Sequence, residues 1–86
     1  MDKEENKKIA LKSLAKITRQ CRGSKSQFIF GAEYGITNSI ISTIETEKRD
    51  PQYTTFLKLA GACNLKAWQL MKLIEEDFPE NFSMAD

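Results

Sequence analysis

The groups that could do chemistry in this chain are few, and their spacing argues against catalysis. There is no histidine, and the two cysteines, Cys21 and Cys63, stand far apart without neighbouring ligand residues. Neither a zinc site nor a disulfide framework follows from such a pair, and both read as small reduced core residues. Close carboxylate pairs include Glu45 with Glu47 and Glu75 with Glu76. General acid–base work needs titratable groups converging in a cleft, so these read as surface or structural charges. No G-x-S-x-G and no phosphate-cradling glycine loop occurs. No cofactor, metal or small-molecule ligand is implied, and the expected activity is binding, not catalysis.

The residues best suited to binding lie in the stretch SQFIFGAEYGITNSIISTIETEKRDP, from Ser26 to Pro51. On a helix advancing about 100° per residue, Ile40, Ile41 and Ile44 share one side, while Asn38, Ser39, Ser42, Thr43 and Thr46 share the other. That outer face is uncharged, short and rich in hydrogen-bonding groups. A solvated face usually carries lysine and glutamate, and short amides and hydroxyls are poor helix formers. The composition therefore favours a surface that a partner approaches closely, with an ordinary polar face as the alternative. Lys48 and Arg49 follow, and Pro51 prevents the helix from continuing.

The elements that must position this face are all helical. From about Glu4 to Arg22, small or apolar residues at Ala10, Leu11, Leu14, Ala15, Ile17, Thr18 and Cys21 form a helical stripe, closed by Gly23. Ser26 is placed to cap a helix from Gln27 to Tyr34 whose buried face would be Phe30, Gly31 and Tyr34. Gly31 is a weak helix residue, about 1 kcal/mol worse than alanine, and suggests another helix crossing close to it. Gly35 and Ile36 form a turn, and Thr37 caps the helix from Asn38 to about Thr46. A fourth helix is expected over Gln52 to Cys63, with Asn64 as its left-handed cap. A fifth covers residues 66 to 76, with Ala67, Leu70, Met71 and Ile74 inward and Trp68 on an outer strip with Lys72 and Glu75.

At 86 residues and 41% hydrophobic composition the chain has room for one domain, 1–86, with a single modest core. It contains no membrane-span pattern and no signal-peptide pattern, so a soluble cytoplasmic protein is expected. The net charge is only +1, which is low for a nucleic-acid binder, but the charge is unevenly spread. Lys3, Lys7, Lys8, Lys12, Lys16, Arg19, Arg22 and Lys25 outnumber Asp2, Glu4 and Glu5 at the start. Glu75, Glu76, Asp77, Glu80 and Asp86 stand without a base at the end. One end could face phosphate while the other stays away from it.

The order and spacing of Ser26, Gln27, Phe30, Gly31, Tyr34, Gly35, Ile36, Thr37, Ser39, Ile41, Ile44, Glu45, Lys48, Arg49 and Pro51 resemble the helix-turn-helix domain of the Cro and phage-repressor (XRE) family. The resemblance continues through Leu57, Leu59, Ala60 and Asn64, spans about residues 11–74, and leaves 77–86 as an acidic tail. It implies an all-α, compact five-helix bundle like that of lambda repressor, with the helix-turn-helix at the second and third helices. It also implies that the third helix enters the major groove of double-stranded DNA. The matching base-reading positions are Asn38, Ser39 and Thr43, and Asn38 can pair bidentately with adenine. Gln27, Thr37, Thr46, Lys48 and Arg49 match phosphate-holding positions. In the family the position of Glu45 often pairs with an arginine of the first helix. Arg19 would be that partner if the loop Gly23 to Lys25 holds one extra residue, and otherwise Gln20 takes the aligned place.

Two features depart from the family pattern. Glu47 stands where glycine usually ends the reading helix, implying a less tight turn and a carboxylate near the phosphate side. Phe28 and Ile29 occupy normally polar positions, as part of an enlarged core or as a protein contact surface. Family members commonly dimerise so that two reading helices enter successive major grooves. Trp68, Met71, Phe78 and Phe82 are the candidate dimer interface, with packing of the tail over its own helices as the alternative. The resulting expectation is a transcriptional regulator, a dimeric repressor on a palindromic operator. An antitoxin or controller protein that binds both operator DNA and a protein partner is a second reading, and a protein-interaction module without an operator a third.

Overall fold

The computed structural model describes residues 3–84, which form five α-helices and no strand: α1 Lys3–Arg22, α2 Gln27–Ala32, α3 Asn38–Glu45, α4 Tyr53–Ala62 and α5 Ala67–Glu75. Asp2 and Asp86, counted above among the terminal charges, lie outside the described residues. The first turn of α1 carries Glu4 and Glu5 and its last turn Arg19 and Arg22, matching the positive and negative ends of the helix dipole. Ser26 accepts a hydrogen bond from Ile29 N at 3.1 Å and Thr37 one from Ile40 N at 3.2 Å. Each satisfies a backbone donor that the first turn of its helix leaves open.

The first four helices are stopped by residues in the left-handed region: Gly23 (φ 57°), Gly35 (φ 70°), Glu47 (φ 64°) and Asn64 (φ 63°). After α3, Glu47 N donates to Ile44 O at 3.1 Å and Lys48 N to Thr43 O at 2.9 Å. After α4, Asn64 N donates to Gly61 O and Leu65 N to Ala60 O, both at 2.9 Å. Both are Schellman closures, which use the last free carbonyls of the helix and require a left-handed residue. The turn at Glu47 is therefore tight, not loosened as its side chain suggested. The closure after α2 has the same pattern: Gly35 N reaches Ala32 O at 3.3 Å and Ile36 N reaches Gly31 O at 3.0 Å.

One core unites the helices: Leu14 and Ile17 from α1, Phe30 from α2, Ile36 from the turn, Ile41 and Ile44 from α3, Leu59 and Ala60 from α4, and Leu70 and Ile74 from α5. Two expectations fail around α2. Tyr34 is 39% exposed instead of buried, because its ring lies over Gly61, where an added Cβ would stand 2.6 Å from Cε1. The neighbour that Gly31 accommodates is not another helix but the turn itself. A Cβ there would sit 2.2 Å from the carbonyl oxygen of Ile36.

The segment after α5 folds back along α1. Phe78 and Phe82 stack with ring centroids 4.1 Å apart, and Phe78 lies against the core. The buried Ser13 hydroxyl donates to Ile74 O at 2.8 Å, Lys16 pairs with Asp77 at 3.1 Å, and the buried Asn6 amide donates to the Ser83 carbonyl. Asn6 and Ser13, which helical periodicity leaves unassigned, are thus the polar side of the α1–tail contact.

Candidate functional site

The polar face of α3 begins at its cap. Thr37, Asn38 and Ser39 are exposed, Ser42 and Thr43 are half-buried, and Thr46 is exposed again. The hydrophobic side of the same helix fixes this orientation, because Ile41 and Ile44 are fully buried and Ile40 half-buried. The three candidate base-reading residues therefore share one surface. They are not equally available. Thr43 Oγ1 lies 3.1 Å from Ser39 O and 3.0 Å from Ile40 O, so its proton is directed to the helix backbone. Its oxygen also accepts from Arg49 Nε at 2.7 Å. Thr46 Oγ1 donates to Ser42 O at 2.9 Å. Thr37 uses its oxygen as the helix cap, which leaves its hydroxyl hydrogen for another acceptor.

Exposed Lys48 and Arg49 follow the face at its C-terminal end. Gln27 is half-buried, and its side-chain amide donates to Glu45 Oε1 at 3.3 Å. Glu45, the carboxylate within α3, is only 6% exposed and is turned into the scaffold. Arg22 grips it bidentately, with Nε 2.7 Å from Oε2 and Nη2 2.8 Å from Oε1. The partner of the Glu45 carboxylate is thus Arg22, neither Arg19 nor Gln20. Arg19 instead donates from Nη1 to the Glu45 carbonyl oxygen at 2.6 Å, one of the acceptors that the end of a helix leaves open. Arg22 reaches further, from Nη1 to Lys25 O at 2.9 Å. One guanidinium thereby ties the end of α1, the following loop and the end of α3.

The electrostatics agree with that geometry. Desolvation pushes the Glu45 carboxyl up, but the hydrogen bonds from Arg22 and Gln27 and the charges of Arg22 and Arg19 outweigh it, and its pKa is held below the usual value. The same hydrogen bond to Glu45 raises that of Arg22, against a smaller opposing effect of desolvation. Both groups are therefore held in their charged forms.

Glu47 is exposed and lines a shallow groove with Lys12, Lys16, Arg19 and Asp77. Phe28 and Ile29, at 67% and 62% exposure, are not part of an enlarged core. Phe28 borders a concavity with Ile36, Thr37 and Asn38, immediately beside the start of the α3 face. On α5, Trp68 is 63% exposed and shares a surface with Lys72 and Glu75. Of its companions in the candidate dimer interface, Met71 and Phe78 are half-buried against the core, and Phe82 stacks on Phe78. The tail aromatics thus pack within their own chain.

Cys21 and Cys63 are free thiols, each half-buried against the core. Their mutual influence draws the Cys21 thiol below its ordinary value despite desolvation, and pushes the Cys63 thiol far up with burial adding to it. Among the described residues no group of three or more histidine, cysteine, aspartate or glutamate residues is placed to hold a metal ion, and no helix is long and apolar enough to cross a membrane. Comparison with protein-family models, curated proteins and solved structures gave no match to this chain.

Proposed function

We propose that this chain is an intracellular, sequence-specific double-stranded DNA-binding protein that lays α3 in the major groove and acts as a dimeric transcriptional repressor on a palindromic operator. The observation that carries the reading is the division of α3 into three parts. Its apolar residues are buried, its carboxylate is withdrawn into a clamp with Arg22, and its short uncharged residues are left at the surface. An exposed carboxylate on that face would meet phosphate and base acceptors unfavourably. Short amides and hydroxyls can instead approach base edges and pair with them. Asn38 is the residue best suited to an adenine, and Ser39 stands beside it. Gln27, Thr37 and Lys48 surround the face as backbone-holding groups, and Arg49 adds a second cation at its far end, whereas Thr46, whose hydroxyl proton goes to Ser42 O, has no donor left for a phosphate. The resemblance to the Cro and phage-repressor family supports the same reading from sequence order.

A specific observation also favours the second reading, a regulator with a protein partner. Phe28, beside the start of the α3 face, and its neighbour Ile29 expose two large apolar side chains for which solvation alone gives no reason. Binding of Asn38→Ala to an operator recovered from a random oligonucleotide pool tests the DNA reading. Loss of a bidentate adenine contact should cost about 1–3 kcal/mol on the operator and little on unrelated duplex. An unchanged operator affinity would reject Asn38 as a reader. No binding of wild type to any duplex would reject the proposed function and leave the interaction module.

A further inference from the structure

The hydrogen bond between Arg49 and Thr43 joins a cation from the loop to the middle of the α3 face, and it changes what both residues can do. The Thr43 hydroxyl sends its proton to the carbonyls of Ser39 and Ile40, at 3.1 and 3.0 Å, and accepts Arg49 Nε at 2.7 Å. A hydroxyl committed on both sides has little left to offer a base. Arg49, in contrast, is anchored only through Nε. Its two Nη groups make no hydrogen bond or ion pair among the described residues, and neither Glu47 nor Asp50 pairs with it.

We propose that Arg49 is a specificity-determining residue that reads a guanine through its Nη fork, with Thr43 as the positioning residue that holds it against the α3 face. This rests on the DNA-binding reading above and reassigns Arg49 from holding phosphate to reading a base. Three points lead to it. Thr43 lies one helical turn beyond Ser39 on the same face, so an arginine resting on it adds its guanidinium to the surface that carries Asn38 and Ser39. With Nε occupied, the remaining donors are the paired Nη groups, whose planar fork matches guanine O6 and N7. A guanidinium already held in place also loses less freedom on binding than a free surface arginine would. The expected half-site therefore contains a guanine near the adenine that Asn38 reads.

Selection of bound sequences from a random duplex pool, repeated with Arg49→Lys, Thr43→Val and Thr43→Ser, tests the assignment. Arg49 is exposed and Thr43 half-buried, and thermal melts establish that each variant is folded. Wild type should enrich one guanine position per half-site. Arg49→Lys keeps the charge but loses the fork, so the guanine preference should fall about five- to a hundredfold at that position while other positions keep theirs. Thr43→Val removes the rest for Nε and should relax the same position, and Thr43→Ser should restore it. The proposal is overturned if wild type enriches a motif whose guanine preference survives Arg49→Lys. It is also overturned if Arg49→Lys weakens all sequences equally, as loss of a phosphate contact would. If wild type enriches no motif at all, the DNA-binding reading itself fails and the Arg49 assignment falls with it.

Discussion

Glu47 combines two separable costs, and a pair of substitutions distinguishes them. Its backbone has φ 64°, a conformation that costs an L-residue about 1–2 kcal/mol because the Cβ crowds the following carbonyl. Glycine escapes this cost but loses about 0.4–1 kcal/mol through its greater freedom in the unfolded chain. Glu47→Gly should thus stabilise the fold by about 0.5–1 kcal/mol. For a domain of this size that corresponds to a rise in Tm of about 2–8 °C. Glu47→Ala retains the Cβ and should leave stability nearly unchanged, since an exposed charge with no close partner contributes little. The charge, in contrast, is lost equally in both. A unit charge about 10 Å from a phosphate costs about 0.4 kcal/mol in water before screening, so both variants should bind duplex about twofold more tightly at low salt, with the gain fading as salt rises. Denaturant unfolding gives the first comparison and fluorescence anisotropy with labelled duplex the second. Equal stability of the glycine and alanine variants would refute the conformational explanation. An affinity gain in one variant alone would refute the electrostatic one.

Two further substitutions test the scaffold. Gly31→Ala would ordinarily stabilise a helix, but its Cβ would lie 2.2 Å from the Ile36 carbonyl oxygen. It should therefore destabilise by about 1–3 kcal/mol as the turn shifts, read as a lower urea midpoint with an unchanged m-value. For Glu45→Gln the effect should depend on pH. The folded-state pKa of Glu45 is depressed, so its stabilising contribution is present above the ordinary value of about 4.3 and is lost as pH falls through the folded value. Urea melts should show the variant clearly weaker than wild type at pH 7, with the difference closing as pH falls below the ordinary carboxylate value. A constant difference would mean that the carboxylate charge is not what Arg22 recognises.

The helices and the polar face of α3 were legible because periodicity and capping are local. Ser26, Thr37, Gly23 and Asn64 announce their roles by residue type, and each takes the expected role in the fold. What failed depended on contacts between distant residues. Arg19 and Arg22 both end α1 on the side of Glu45, and nothing local tells which guanidinium reaches the carboxylate and which the carbonyl. Tyr34 was expected inward from its spacing but rests over Gly61, a glycine in another helix. Glu47 breaks the preference for glycine, yet the backbone closes the helix in the same way because the hydrogen bonds to Ile44 and Thr43 demand it. The link from Arg49 to Thr43 likewise brings together residues with no sequence signal connecting them.

DNA recognition is tested most directly by selection of duplexes from a random pool by the wild-type chain, followed by a salt titration on the enriched site. The expected result is a palindromic motif with half-sites about 10 base pairs apart centre to centre, and an affinity that falls steeply as salt rises. A pool that stays random after repeated rounds, with binding insensitive to salt, would contradict it.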